Sequence, residues 1–117
     1  MPFEVQKCCL DNGRCPFDDW FARLSPQFKS RVLQRIVRLE IGNFGDCRAI
    51  AGGNGVSELR LDFGPGYRVY YGIDGATIIL LLCGGDKSSQ RRDIEKAKGL
   101  WTAYKAKGNA NENGIVP

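Results

Sequence analysis

Two arginines and a lysine stand where a small protein can gather positive charge. Arg60 lies in an alternating apolar–polar run, residues 56–63, and Arg68 lies in the next such run. Alternate residues of a strand share a face, so Arg60 and Arg68 can lie close together on one face of a sheet. Two neighbouring arginines repel each other unless an anion lies between them. The pair therefore indicates a site for an anionic group such as phosphate.

A second interpretation of the same residues stays open. Glu58 and Asp62 share the face of Arg60 and can neutralise the arginines as ordinary surface ion pairs. Three tyrosines crowd the strand of Arg68, namely Tyr67, Tyr70 and Tyr71. Arginine beside aromatic rings is the chemistry that binds RNA phosphates and bases, which favours the phosphate site. Core packing is the competing explanation for the first and the third of these tyrosines.

The lysine, Lys87, lies in a glycine-rich bend, residues 84–89, that precedes a helical segment. Free backbone N–H groups at the start of a helix favour an anion, and Lys87 adds a full positive charge. The bend is not a P-loop, because Asp86 stands where that motif needs glycine. Ser88 or Ser89 is expected to cap the helix.

The composition narrows the chemistry further. The chain has 117 residues, 17 Lys and Arg, 13 Asp and Glu, and no histidine. This length fits one domain with its own core. Without histidine, Ser-His-Asp and Cys-His nucleophile systems are excluded, so acid–base chemistry must use Lys, Tyr, Asp, Glu or a thiol. The formal net charge of +4 fits a protein that meets phosphate or an acidic partner locally.

The cysteines and the apolar runs bear on cofactors and compartment. Cys8, Cys9 and Cys15 cluster, but the sequence has no C-x2-C pair, and neither a metal nor a cofactor is indicated. The longest apolar run, Ile78 to Cys83, is far shorter than the roughly 20 residues of a membrane span, and we find no secretory signal. We therefore predict a cytoplasmic chain with reduced thiols, in which Cys83 is a buried apolar side chain.

Hydrophobic periodicity predicts an α+β domain in the order β-α-α-β-β-β-α. The predicted strands are residues 3–8, 56–63, 67–73 and 76–83, and the predicted helices are 17–24, 26–41 and a last one after the bend. The last strand is apolar on both faces, which is typical of a central strand. Asp74-Gly75 predicts a two-residue hairpin turn, and residues 43–55 a glycine-rich loop. The domain spans residues 1–107, and residues 108–117 form a polar tail.

The predicted helix 26–41 carries two features. Ser25 is its expected cap, and Gly42 its left-handed end. Its apolar residues cover so wide an arc that we expect the helix to be buried on two sides; they are Phe28, Val32, Leu33, Ile36, Val37, Leu39 and Ile41. The remaining arc carries Arg31, Arg35 and Arg38. This stripe fits nucleic-acid phosphate or an acidic partner, and it fits a solvated face equally well.

Several strings of residues together carry a family resemblance. They are Arg38-Leu39-Glu40, Gly42–Asp46, Glu58-Leu59-Arg60, Gly64–Tyr71, Leu80–Gln90, Arg92-Asp93-Ile94 and Ala97-Lys98. In this combination the chain, over about residues 15–105, resembles the phage Gp49-like, HigB-type addiction-module killer proteins of the RelE/ParE toxin superfamily. The resemblance implies a RelE-like single domain with a mainly antiparallel sheet packed against helices. It also implies a toxin held inactive by a cognate helix-turn-helix antitoxin.

RelE-like members cut mRNA on the ribosome without a metal, by attack of a ribose 2′-OH on the adjacent phosphate. That step needs a base, cations for the phosphate and an acid for the leaving oxygen. By resemblance, Arg68 would stabilise the phosphate, while Arg60 and Lys87 would add charge or transfer protons. Tyr70 would transfer a proton or stack on a base. The predicted RNA-binding residues are Arg31, Arg35, Arg38 and Arg91.

The resemblance leaves the target open. RelE itself carries a tyrosine in its last helical segment that has no recognised counterpart here, so the general acid and base stay unassigned. A ParE-like toxin that binds DNA gyrase and cleaves nothing is the alternative function. A third possibility is an inactive relative that retains only antitoxin binding.

Overall fold

The computed structural model describes the backbone of residues 2–115 and the side-chain surroundings of residues 2–108. One sheet is built from β1 (Glu4–Lys7), β2 (Cys47–Ala49), β3 (Val56–Arg60), β4 (Arg68–Asp74) and β5 (Ile78–Gly85). The helices are α1 (Pro16–Ala22), α2 (Pro26–Glu40) and α3 (Gln90–Ile115), and a 3-10 turn, Lys87–Ser89, precedes α3. Within this described part no helix combines the length and apolar character that crossing a membrane requires.

The sheet has the strand order β1-β5-β4-β3-β2. β1 runs parallel to β5, and every other pair is antiparallel. The α+β class and the mainly antiparallel sheet are therefore confirmed. The observed order has one strand more than predicted. The stretch predicted as a loop, residues 43–55, contains β2, which pairs with β3. At three residues β2 is too short to show an alternating pattern in the sequence.

The two faces of the sheet are covered by different helices. On the α1/α2 face, Trp20 of α1 and Leu39 of α2 belong to one core with buried side chains of the strands, including Leu59, Val69, Tyr71, Ile79 and Leu81. On the α3 face, Ala97 and Trp101 pack with Val56, Tyr70, Leu80 and Leu82. β5 supplies side chains to both cores, as its apolar sequence predicted.

Glycines make room for the two tryptophans. The ring of Trp101 lies against Gly72 of β4, and a Cβ at Gly72 would approach the ring to 2.6 Å. The ring of Trp20 lies equally tightly against Gly84 of β5. Each glycine thus lets a helix-borne indole lie directly on the sheet.

Two boundaries differ from the prediction. Asp74 remains in β4 and pairs with Ile78 of β5, so three residues, 75–77, connect the two strands. Of residues 74–77, only Gly75 has a positive φ, +64°. The two-residue turn is wrong, because Asp74 continues the ladder instead of turning. At the other end, α3 runs on to Ile115 where the sequence predicted a polar tail from Gly108. No proline interrupts the helical hydrogen bonds before Pro117.

The ends of α2 lie where they were predicted, but the helix is buried on fewer sides than predicted. Pro26 is its first residue, and Gly42 has the expected positive φ of +86°. Ser25 occupies the cap position without a side-chain hydrogen bond. Leu33, Val37 and Ile41 are 50%, 52% and 53% exposed. Expected burial on two sides is therefore wrong, because α1 packs on β5 and leaves this side of α2 open.

Candidate nucleic-acid interface

Arg60, Arg68 and Lys87 meet at one end of the sheet. Arg60 of β3 is the direct cross-strand partner of Arg68 of β4, which in turn pairs with Gly85 of β5. Lys87 follows two residues later, and its backbone N–H donates to the carbonyl of Pro65 at 3.4 Å. The alternation of the sequence thus correctly predicted that the two arginines are neighbours.

Arg60 is held by Asp46, a residue outside the predicted ion pairs. Its Nη2 and Nε lie 2.8 Å and 3.1 Å from Asp46 Oδ1. The Arg60 side chain is 38% exposed, so the pair lies at the surface. The hydrogen bond from Arg60 lowers the pKa of the Asp46 carboxyl, and the charges of Arg35 and Arg68 lower it further.

Arg68 belongs to a buried polar cluster. Its Nη1 lies 3.7 Å from Oε2 of Glu58, whose side chain is fully buried, and only 13% of the Arg68 side chain is exposed. Gln90 of α3 donates to Glu58 at 2.8 Å, and Arg48 of β2 lies 3.4 Å from it. Arg68 Nε has no hydrogen-bond partner among the described residues. The ion pair with Glu58 thus fixes the orientation of Arg68, and only a small part of the Arg68 side chain reaches solvent.

Tyr70 is buried beneath α3. It is 0% exposed, and its hydroxyl has no hydrogen-bond partner within the described residues. Burial raises the pKa of Tyr70, which disfavours its ionised form. The predicted role of Tyr70 in proton transfer or base stacking is therefore incompatible with its position. Tyr71 and the half-buried Tyr67 pack in the other core, so the competing explanation holds for both.

The bend before α3 is capped by its own aspartate. Asp86 Oδ1 accepts hydrogen bonds from the backbone N–H groups of Ser88 and Ser89 at 2.8 Å and 3.3 Å, and Ser89 Oγ accepts from the N–H of Asp86 at 3.2 Å. The bonds from Ser88 lower the pKa of Asp86. Both the predicted serine cap and the predicted anion at these N–H groups are wrong, because the Asp86 carboxylate already occupies them.

The side chain of Lys87 lies at the surface. It is exposed and forms no ion pair with the residues that the structure describes. Its Cβ lies beside Gly66, two residues before Arg68, since a Cβ built on that glycine would meet it at 3.3 Å. The Lys87 side chain therefore begins at the same end of the sheet as Arg60 and Arg68.

The predicted arginine stripe of α2 lines one cleft. Arg31, Gln34, Arg35, Arg38, Asp62 and Phe63 surround an open space of about 210 Å³. The Arg31 guanidinium lies 4.0 Å above the Phe63 ring. Arg35 points toward the sheet end, where it donates to the carbonyls of Arg60 and Phe44 at 3.5 Å and 3.4 Å. We call this space the arginine cleft. Arg91 is exposed on the first turn of α3, apart from it.

The sheet end carries an excess of positive charge. The guanidinium groups there are those of Arg35, Arg48, Arg60 and Arg68, and with Lys87 they outnumber the four carboxylates nearby by one; these belong to Asp46, Glu58, Asp86 and Asp93. Lys87 and the arginine cleft extend the positive surface on either side. Such an arrangement can neutralise a phosphate and hold its neighbours in the chain.

Sequence reasoning found one of the two acids that organise these arginines, since Glu58 pairs with Arg68 as the competing interpretation allowed, but it missed Asp46 and expected Glu58 at the surface. Asp46 lies in a segment without periodicity, so nothing in the sequence ties it to Arg60. The burial of Glu58 was only weakly indicated by the sequence. Val56 lies two positions away on the same face of the strand, and an apolar residue there indicates that this part of the face is covered. Gln90 and Arg48 contact Glu58 only because α3 and β2 lie where they do.

The thiols also differ from expectation. Cys9 and Cys15 are joined by a disulfide, their Cα atoms 4.1 Å apart, so the prediction that all thiols are reduced is wrong. Cys8 is buried, and Cys83 is buried as predicted. Burial raises the pKa of Cys83 to about 12, so it behaves as an inert apolar side chain. Among the described residues no group of His, Cys, Asp and Glu is arranged to hold a metal.

Comparison with known proteins places this α+β domain. Residues 19–102 match the family described as Phage derived protein Gp49-like (DUF891). The chain is also 46% identical over 85 residues to an uncharacterized protein of Haemophilus influenzae, over 72% of this chain and 84% of that relative. The chain therefore belongs to the phage-derived Gp49-like family. The matched residues include Arg60, Arg68, Lys87 and the arginine cleft.

Proposed function

We propose that this protein is the toxin of a type II toxin–antitoxin system, related to the RelE/ParE superfamily, and that it cleaves mRNA on the ribosome. One observation carries the proposal. Arg60 and Arg68 are cross-strand partners at the sheet end from which Lys87 projects. Membership of the Gp49-like family, which is associated with toxin-type phage proteins, supports the toxin part of the proposal.

The reaction asks little covalent chemistry of the protein. The ribose 2′-oxygen gives its proton to solvent water and bonds to the adjacent phosphorus, and the bond from phosphorus to the 5′-oxygen breaks as that oxygen takes up a proton. Negative charge builds on the non-bridging oxygens, which Arg60 and the exposed part of Arg68 neutralise. Lys87 lies in solvent and is our candidate for protonating the leaving oxygen. Buried Tyr70 has no part in this scheme.

The rest of the positive surface would bind the flanking message. Arg31 and Arg38 are exposed beside Arg35, so they can contact phosphates next to the cleaved one. Arg91 would meet RNA on the side of α3. We expect the toxin to act in the cytoplasm and to be silenced by a cognate helix-turn-helix antitoxin.

The test is induction in bacteria without an antitoxin, followed by primer extension on cellular mRNA. We expect growth arrest with discrete cuts inside codons. Arg60→Ala should lower cleavage about 100-fold, the usual loss when one transition-state donor is removed. Arg14→Ala is the matched control, because Arg14 also forms a surface ion pair, with Asp19 at 3.1 Å, at a distant site.

Other outcomes would overturn the proposal. Arrest with intact message and gyrase-dependent DNA breaks would identify the ParE-like alternative. Full cleavage by a folded Arg60→Ala protein would remove the sheet end from the mechanism. Arg68→Ala is a less clean test than Arg60→Ala, because it leaves the buried Glu58 with one cation fewer.

A further inference from the structure

A polar cleft opens between α1, the bend before α3 and the first turn of α3. Its space is about 330 Å³, and Arg23, Arg92 and Asp93 lie in its walls. Gly85 also lines this space, here called the Asp93 cleft, and is the cross-strand partner of Arg68. Because neighbouring strands lie about 4.8 Å apart, the Asp93 cleft adjoins the sheet end.

Asp93 places a buried carboxylate in this wall. It is 8% exposed and forms no ion pair within residues 2–108. The hydroxyl of Ser89 donates to Asp93 Oδ2, which takes one of the carboxylate's roughly four acceptor positions. A carboxylate removed from water without a cation is costly, and its place in the first turn of α3 offsets part of that cost. The remaining acceptor positions suit a ligand that brings N–H donors.

The two arginines of the Asp93 cleft restrict the charge of that ligand. Arg23 and Arg92 are exposed, and neither forms an ion pair with the part of the chain that the structure describes. Asp86, the other carboxylate of the cleft, is already bonded by its own bend. A cationic ligand would meet the two guanidinium groups. The donors for Asp93 should therefore be uncharged, and the ligand should carry an anion for the arginines.

From this combination we propose that the Asp93 cleft binds a guanosine nucleotide, with its base on Asp93 and its phosphate on the arginines. Guanine presents two neighbouring donors on one edge, its N1–H and its 2-amino group, and a carboxylate can accept from both. Adenine and cytosine present an acceptor beside their amino group, and uracil presents a single N–H between two carbonyls. Their edges would leave the second carboxylate oxygen facing an acceptor.

This inference deepens the proposed function and rests on it for its consequence. Lys87 lies in the bend that lines the Asp93 cleft, and Arg68 lies one strand away. A guanosine of the message held in the cleft would place its own linkage near these cations, so cleavage should occur beside G. A free guanine nucleotide offers the same chemistry, and the two sources are distinguished below.

The binding experiment uses the purified, isotope-labelled full-length chain. Guanosine, inosine, adenosine and cytidine monophosphates (GMP, IMP, AMP and CMP) are titrated while NMR follows the backbone amide resonances of residues 84–89. IMP differs from GMP only by lacking the 2-amino group. We expect GMP to bind at least about ten-fold tighter than the other three, because each of them leaves a buried acceptor unpaired.

Variants assign the contacts. Asp93→Asn keeps an oxygen for the Ser89 hydroxyl but turns a donor toward the base, so GMP should bind at least about ten-fold more weakly and lose its advantage over IMP. Glu95→Gln is the matched control, because Glu95 lies on the same helix with its side chain 70% exposed, and it should bind GMP normally. The double variant Arg23→Ala/Arg92→Ala should reduce the affinity for GMP to that for guanosine without phosphate.

Two outcomes would overturn the guanine site. One is equal affinity of the parent for GMP and IMP, a comparison that uses the unaltered protein and therefore decides even if Asp93→Asn does not fold. The other is a folded Asp93→Asn protein that keeps the preference for GMP.

Primer extension on cellular mRNA then identifies the source of the nucleotide and separates this site from the nuclease. With GMP selectivity established, cuts beside G that lose this preference in Asp93→Asn identify a guanosine of the message. Cuts without base preference identify a free guanine nucleotide, and the site stands in both cases. GMP selectivity without any cleavage leaves the site standing and removes the nuclease, whereas cleavage without GMP selectivity does the reverse.

Discussion

The two faces of the sheet are built on different principles. The core of the α1/α2 face consists of buried apolar and aromatic side chains such as Val32, Leu39 and Leu59. The α3 face combines a similar core with two buried carboxylates, those of Glu58 and Asp93. The first face holds the chain together. The second also holds arginines in place, and that contrast supports the sheet end as the site we propose.

Buried charge on the α3 face has a cost that apolar packing does not. A carboxylate removed from water is stable only while its cations and hydrogen-bond donors remain in place. Glu58 has Arg68, Arg48 and Gln90 around it. The α3 face is therefore more sensitive to the loss of one partner, and it fixes side-chain orientation in return.

The largest effect is expected from Glu58→Ala. Breaking a buried ion pair leaves Arg68 uncompensated, and the free energy of unfolding should fall by about 3–5 kcal/mol. Urea denaturation measures this. Glu95→Ala is the control, because Glu95 pairs with Lys98 on the surface of α3 and should change stability by less than about 0.5 kcal/mol. A loss below about 1 kcal/mol for Glu58→Ala would show that the buried cluster does not organise this face.

The apolar face should respond differently to Leu39→Ala. Leu39 is fully buried, so truncation should cost about 2–5 kcal/mol through lost burial and a cavity. The cleavage rate per folded molecule should stay unchanged, whereas Glu58→Gln should lower it. Leu33→Ala, on the exposed side of the same helix, is the matched control for stability. A specific loss of activity in folded Leu39→Ala would contradict the division between the faces.

Tyr70 and Tyr104, both on the α3 face of the sheet, should respond to loss of the hydroxyl with smaller changes in stability. The buried hydroxyl of Tyr70 has no hydrogen-bond partner among residues 2–108, so Tyr70→Phe should be neutral or stabilise the protein by up to about 1 kcal/mol. The hydroxyl of Tyr104 donates to Asp74 at 2.6 Å, so Tyr104→Phe should destabilise by about 0.5–1.5 kcal/mol. Thermal unfolding compares the two. Destabilisation by Tyr70→Phe would mean that its hydroxyl has a hydrogen-bond acceptor.

The smallest effect is the acid dependence of the Asp86 cap on the 3-10 turn that precedes α3. The pKa of Asp86 is lowered in the folded protein, mainly by the side chain of Ser88, from an ordinary value of 3.8. Its contribution to stability is therefore present above pH 3.8 and disappears as the pH falls through the lower folded value. Thermal melts should show Asp86→Ala less stable than the parent at neutral pH, with the difference closing in acid. A difference in stability that stays constant with pH would show that the cap does not depend on the ionisation of Asp86.

The sequence predicted the parts of this molecule that depend on local periodicity. Strands β3 to β5, the extent of α2 and the adjacency of Arg60 and Arg68 all follow from alternation or helical spacing. Burial of Tyr70 and Glu58 does not, because it depends on where α3 crosses the sheet. The cap was misassigned for a chemical reason, since Asp and Ser serve equally well as N-cap residues and three of them stand together in residues 86–89.

The pairing of β1 with β5 has a consequence for how the protein comes into being. Glu4 pairs with Ile78, so β1 must wait for β5 to be synthesised. Contacts between residues so far apart in the chain form late, because a long loop must close first. A nascent chain that has emerged only as far as α2 thus lacks the neighbour that its opening segment needs. The sheet end that holds Arg60 and Arg68 is complete only when the bend with Lys87 and the first turn of α3 with Gln90 have been synthesised.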